Sequence, residues 1–341
     1  MRCVTALALL GAAHAQAVAP YVNLGSVEAV EGLLERVLPP GGKEHFVLAL
    51  APTCPGSEPP CFVLEDAGSK IKVTATGAAE LASGIGVYLR EKCNMVIGWP
   101  RGGGSNVFIP KAWPKIGSTP LAGRRNTPWS YMMNVCTHSY SLVWYSWEDW
   151  EAFIDWMALS GINLFLGMTG QEEIQYKVFE KFGLNDTEIR SWFNGPALLT
   201  WSRGQNEYGS HIGGPLPRSW MKQQWNMMKQ ITTRYRSLGM SSQLPAFQGN
   251  APVQLKAIHS DSNMTDNHVN ANHAASRSFV ADDGACCQQK DTAWMNSVDP
   301  LYAKIADEWM KQLLADFGTD HWCASKPSRH PLFVVVRLAA D

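Results

Sequence analysis

Apolar positions recur at two periods along this chain of 341 residues, and the predicted element changes where the period changes. Runs 131–136 and 162–168 are short and nearly continuous, the pattern of strands buried on both faces of a parallel sheet. A Trp-rich helix, residues 147–159, lies between them. Further on, helical material at 171–182 and 187–193 and a long helix at 217–237 lead to a third strand at 242–247. After a polar insertion at 259–293, a helix at 300–317 leads to a fourth strand beginning near His321. Alternation of this kind predicts a parallel sheet with right-handed crossovers. Four such strands are half of an eight-stranded barrel.

Upstream, runs 45–50, 61–66, 70–76 and 94–99 read as strands, and Leu81, Ile85 and Leu89 give residues 78–92 a helical period. These elements define a small domain at 21–115. A basic, Pro-punctuated linker without periodicity follows at 110–128, and the barrel region occupies 126–324. The expected fold class is α/β, a small N-terminal α/β domain followed by an incomplete (β/α)8 TIM-type barrel.

Net charge is −1, and no concentrated basic face is present, which argues against a nucleic-acid partner. Residues 1–15 read as a secretory signal: Arg2, an apolar run from 4 to 13, then Ala13-His14-Ala15 as a cleavage site. That run is too short to cross a bilayer and no other stretch is long enough, so no membrane association is expected. The expected location is the secretory pathway, lysosomal or extracellular, and sequons at Asn185 and Asn263 agree with it. The 14 Trp are several times ordinary usage. A Trp ring suits the C–H face of a pyranose, although about two-thirds are assigned to core packing.

Of eight Cys, Cys3 lies in the signal, so an odd number remains and at least one is free or intermolecular. Cys54 and Cys61, flanked by Pro and Gly, read as a loop-closing disulfide, and Cys136 as a free thiol lining a pocket. Cys286 and Cys287 cannot readily bridge to each other, and their partners stay open. Together with His268 and His273 they match no zinc pattern. The glycines at 102–104 lack the Lys-Ser/Thr of a phosphate loop and read as a turn, and no G-x-S-x-G elbow appears. No metal and no cofactor are expected.

Polar groups follow each of the first two strands: Asn134, Cys136 and Tyr140 after one, Gln171 and Glu172 after the other. Groups clustered where parallel strands end are how a β/α barrel builds a site, and these can hydrogen-bond a polyol. Glu172 reads as a substrate-contact group and Glu173 as an acid favoured by the helix dipole. Neighbours on a helix point roughly 100° apart, so the two are not a facing pair. Asp149, Glu151 and Asp155 are assigned to the solvated outer face of the Trp-rich helix.

The block NVCTHSYSLVWYSWEDWEAFIDWMALSGINL (134–164) resembles the lysosomal-type α-N-acetylglucosaminidases. So do Gly170-Gln171-Glu172, GPLPRSW (214–220), LPAFQGNAP (244–252), the Asn263 sequon, Asp299-Pro300-Leu301 and FGTDH (317–321), over residues 25–323 in all. The resemblance implies removal of terminal α-linked GlcNAc from heparan sulfate-type glycans, with a glycan as partner and often an oligomeric state. It also implies that Asn134, Cys136, Tyr140 and Trp201 line the GlcNAc pocket. Retaining glycosidases use two carboxyl groups about 5–5.5 Å apart. In that family the acid/base Glu sits in a D-x-F-N-E motif shortly after the GTDH strand, and the nucleophile Glu lies far beyond it. Here FGTDHWCA gives way to a nonconforming tail, 325–341. The resemblance therefore implies the N-terminal portion of a retaining exo-glycosidase with no catalytic residue of its own. Half a barrel exposes strand edges, so poor solubility is expected. The alternative is a catalytically dead, lectin-like module that still holds GlcNAc.

Overall fold

A computed structural model describes residues 24–101, 103–193, 195–200, 215–266, 292–319, 321–325 and 334–337. The small domain opens with helix α1 (Val27–Val37), which begins where the Ser26 hydroxyl accepts the Ala29 N–H (3.1 Å). Its apolar stripe, Val30, Leu33 and Leu34, is buried. Strands β1 (Phe46–Leu50), β2 (Cys61–Ala67) and β3 (Lys70–Ala75) precede helix α2 (Ala78–Glu91). The sheet order is β1-β3-β2-β4, with β1 parallel to β3 and the other pairs antiparallel. The linker expected at 110–128 carries the fourth strand, β4 (Leu121–Arg124), which pairs with β2. Its alternation is too short to register as a period, and cross-strand pairing defines it. Residues 94–99 form no strand, and only an isolated bridge joins Val96 to Asn106. Cys54 and Cys61 are joined by a disulfide.

The larger sheet has the order β12-β11-β7-β6-β5. Strands β5 (Tyr131–Met132), β6 (Leu164–Leu166), β7 (Ser241–Pro245) and β11 (Trp322–Ser325) are parallel and adjacent in chain order, as in one side of a TIM-type barrel. The tail supplies β12 (Val334–Arg337), antiparallel on β11. Helices α3 (Trp147–Leu159), α4 (Gln171–Lys181), α5 (Asp186–Trp192), α6 (Arg218–Ser237) and α8 (Pro300–Phe317) pack outside it, with a short α7 (Gln254–Ile258) between β8 and β9. Helix α3 starts at a capping box between Ser146 and Asp149 and buries Trp150, Phe153, Ile154 and Met157 at helical spacing. The flanks of the polar insertion form a second sheet that alternation did not reveal. Its strands are β8 (Asn250–Pro252), β9 (Met264–Asp266) and β10 (Thr292–Met295), in the antiparallel order β8-β10-β9.

The small domain and the barrel share one packed core. Gly86 of α2 lies against the end of α3, where a Cβ would meet the Leu159 carbonyl oxygen at 1.8 Å, so only glycine permits this approach. Arg125 reaches across to Glu80 (2.6 Å), and Arg90 donates to the Leu159 carbonyl (2.9 Å). Asp155, expected on a solvated face, is 1% exposed because α1 and α6 both cover that side of α3. Among the described Trp, Trp144 alone is exposed, and most of the others are buried in the core or packed against it.

Candidate functional site

Strand β5 stops after two residues, short of the expected 131–136, because Asn134 turns the chain. Its backbone is extended (φ −70°, ψ 138°) and its side-chain Oδ1 accepts the Cys136 N–H (2.8 Å), capping a 3₁₀ turn over Val135–Ser139. With Oδ1 used in this way, the Asn134 group left for a ligand is the Nδ2 donor.

Three contacts hold the turn over the end of the parallel sheet. His138 is buried between Trp150 and Phe165 and donates from Nε2 to the Leu166 carbonyl at the end of β6 (3.0 Å). Thr200 donates its backbone N–H to the Ser139 hydroxyl (2.9 Å), and the two hydroxyls are also hydrogen-bonded. The Thr200 hydroxyl reaches the Val135 carbonyl (3.4 Å). Thus a rigid turn presents Asn134, the half-buried free thiol Cys136 and Tyr140, whose side chain is 71% exposed. Trp201 lies outside the described residues, but its chain neighbour Thr200 is fastened to this turn.

Gln171 and Glu172 form the first turn of α4 and are 0% and 1% exposed, so they do not share the open surface of the trio. Gly170 (φ 76°) swings the chain so that this helix starts hard against α6, where a Cβ would meet the Gln224 carbonyl oxygen at 2.8 Å. Among the described residues the Gln171 amide has no hydrogen-bond partner. Glu173 is paired with Arg218 (3.0 Å), whose guanidinium lies over the Tyr176 ring (3.6 Å).

Residues 130–327 match the family described as alpha-N-acetylglucosaminidase (NAGLU) tim-barrel domain, and residues 28–115 match its N-terminal domain. The chain belongs to the alpha-N-acetylglucosaminidase family. It is 32% identical to the alpha-N-acetylglucosaminidase of Homo sapiens over 301 residues, 86% of this chain and 37% of that protein. Two solved Clostridium perfringens structures are similar. One is a family 89 glycoside hydrolase in complex with 2-acetamido-1,2-dideoxynojirmycin (TM-score 0.74). The other is a family 89 protein with two Glu-to-Gln substitutions, in complex with its substrate GlcNAc-alpha-1,4-galactose (TM-score 0.73). Each is 26% identical and covers 88% of this chain and 32% of its own. The chain spans about a third of the length of these relatives.

In this member of the alpha-N-acetylglucosaminidase family, His138, Ser139 and Thr200 brace the turn, and sequence reasoning did not single them out. Their spacing within the 134–140 motif was the available signal, since a turn carrying three presented groups needs others to brace it. Both sequon asparagines are exposed, and Asn185 caps α5 through Oδ1, which accepts the Glu188 N–H (3.0 Å) and leaves Nδ2 outside that bond. No group of three metal-ligating side chains occurs among the described residues, and His268, His273, Cys286 and Cys287 lie outside them. No helix among the described residues is long and apolar enough to cross a membrane.

Proposed function

We propose that this chain supplies the sugar seat of a retaining exo-glycosidase that removes terminal α-linked GlcNAc from heparan sulfate-type glycans. The observation that carries this reading is the braced turn at the end of β5. It presents an amide donor, a thiol and a phenol together on the face where parallel strands end. Asn134 Nδ2 donates to a ring hydroxyl or the acetamido oxygen, Tyr140 offers a flat face with a polar tip, and Trp201, outside the described residues, is the further lining residue that the family resemblance implies. Gln171 and Glu172 act from behind that surface. The route is the secretory pathway to the lysosome or the outside, with glycans on Asn185 and Asn263.

By itself the chain binds without cutting. Among the described residues, the acids nearest the strand ends are engaged elsewhere: Glu173 is held by Arg218 and Glu172 is enclosed. Neither forms the pair of opposed carboxyl groups, about 5–5.5 Å apart, that retention requires. The same observation favours the second reading, a GlcNAc-binding, lectin-like module. Calorimetric titration with GlcNAc, beside an assay for p-nitrophenol release from its α-glycoside, tests both points. Binding without release is expected. Absence of binding would overturn the seat, and turnover lost in Glu172→Gln would overturn the assignment of that acid.

A further inference from the structure

We propose that Trp144 is the platform for the second sugar of the glycan, the pyranose on the reducing side of the terminal GlcNAc. The proposal rests on the sugar seat described above and adds a subsite to it. Trp144 is 57% exposed, while every other described Trp is buried or partly buried. A single exposed aromatic is ordinary by itself; what sets this one apart is that a flat apolar face with an N–H donor stands beside the sugar seat.

The ring is also held still. Trp220, at the start of α6, packs against it edge-on, with centroids 5.4 Å apart and planes at 66°. Its carbonyl accepts from Arg101 Nη2 (3.1 Å). Arg101, in the left-handed region at φ 57°, is itself fixed by a two-pronged ion pair to Asp149, including Nε to Oδ1 at 2.8 Å. An aromatic surface immobilised before binding loses little entropy when a sugar stacks on it.

Its place in the fold is that of a neighbouring subsite. Trp144 lies in the β5–α3 connection, four residues beyond Tyr140, and touches the first turn of α6. Helices in a β/α unit run back along the strands, so the first turn of α6 and the end of β5 lie on the same rim. An exo-acting seat encloses the terminal sugar and leaves the rest of the glycan to run outward across that rim. The chemistry is specific in one further respect. Arg101, the cation bonded to the Trp144 carbonyl, is paired with Asp149, so the platform offers a C–H-stacking face. It therefore takes a pyranose by its apolar face, independently of sulfation.

Calorimetric titration of the whole chain with GlcNAc and with GlcNAc-alpha-1,4-galactose tests the inference, for wild type, Trp144→Ala and Trp144→Phe. The disaccharide should bind more tightly than GlcNAc. Trp144→Ala should weaken the disaccharide about tenfold and leave GlcNAc within about twofold. Trp144→Phe, which keeps a ring, should retain most of the gain, and added salt should change little. Equal loss for both sugars, or no loss for either, would overturn the platform. A disaccharide no tighter than GlcNAc would do the same. A wild type that fails to bind GlcNAc at all sinks the seat instead, and the platform with it. Thermal unfolding of each variant separates lost binding from lost folding, and the Phe variant preserves the test if the Ala variant does not fold.

Discussion

Arg36 and Asp155, far apart in the chain, lie side by side in the fold. Arg36 Nε donates to Asp155 Oδ2 at 2.7 Å and Nη2 to Oδ1 at 3.0 Å. Arg234 Nη2 adds a third bond to Oδ1 at 2.8 Å. One buried carboxylate thus fastens α1 of the small domain to α3 and α6 of the barrel. Burial outweighs the pull of Arg36 and raises the carboxyl pKa from 3.8 to about 7, so the three charge-assisted bonds offset its desolvation only in part.

Removing that carboxylate leaves two guanidinium groups without their shared acceptor. Asp155→Ala should therefore cost about 3 kcal/mol in denaturant unfolding, below the fully buried case in effect because Arg36 is partly solvated. Separate transitions for the small domain and the barrel should also appear. A loss under about 1 kcal/mol, the range of surface pairs, would show that the link does not join the domains.

Acid should destabilise the small domain through His45. Its ring is buried, stacks on Trp113 (4.3 Å) and shares a hydrogen bond with the Tyr88 hydroxyl (3.3 Å). Because Tyr88 donates to the Pro114 carbonyl (2.7 Å), its oxygen is left to accept from His45 Nε2. Burial, helped by Lys115 and Lys70, lowers the imidazole pKa from 6.5 to about 4. In that window the unfolded chain binds the proton and the folded chain does not. Stability is therefore full above the unfolded value and falls as pH drops from 6.5 toward 4. Thermal melts of wild type at pH 7 and pH 5, against His45→Phe, should show a smaller drop in the variant. Parallel drops would clear His45 of the effect.

Asn134 separates capping from binding. Asn134→Asp keeps an oxygen to accept the Cys136 N–H but lacks the amide donor, so the fold should survive while GlcNAc affinity drops. Asn134→Ala should lose affinity and also about 1 kcal/mol of stability. If the Asp variant binds GlcNAc as wild type does, the Nδ2 donor has no part in the site.

Ser139→Ala removes both Ser139 hydroxyl bonds that fasten the 3₁₀ turn to the segment leading to Trp201, whereas Thr200→Val removes the hydroxyl–hydroxyl bond and keeps the Thr200 N–H to Ser139. Each should cost about 1 kcal/mol in stability and weaken GlcNAc binding in calorimetry. Because both act on one contact, the double variant should bind little worse than Ser139→Ala alone. Additive losses would mean that the two residues act separately.

Several features were legible before any coordinates. The Ser146 and Asp149 positions fix the start of α3, and Asp299 with Pro300 fixes that of α8, because caps act over three or four residues. The order strand, Trp-rich helix, strand was readable for the same local reason. The early end of β5 was not, since apolar Met133 and Val135 continue the strand pattern and only the Asn134 side chain bends the backbone away. Strands β4, β8, β9 and β10 were also hidden, being three or four residues each of alternation that only pairing makes into a sheet.

What the sequence determined alone was the succession of elements and the family motifs, because periodicity and capping are properties of neighbours along the chain. Tertiary structure decided which side chains face one another. Helical spacing put Asp155 at a position that could equally meet water, and only the arrival of Arg36 and Arg234 from distant segments made it a buried anchor. Likewise the motif contains His138 and Ser139, but the Leu166 carbonyl and Thr200 that give them their work come from elsewhere in the chain. Contacts of that kind depend on how whole elements pack, and no short-range pattern encodes them.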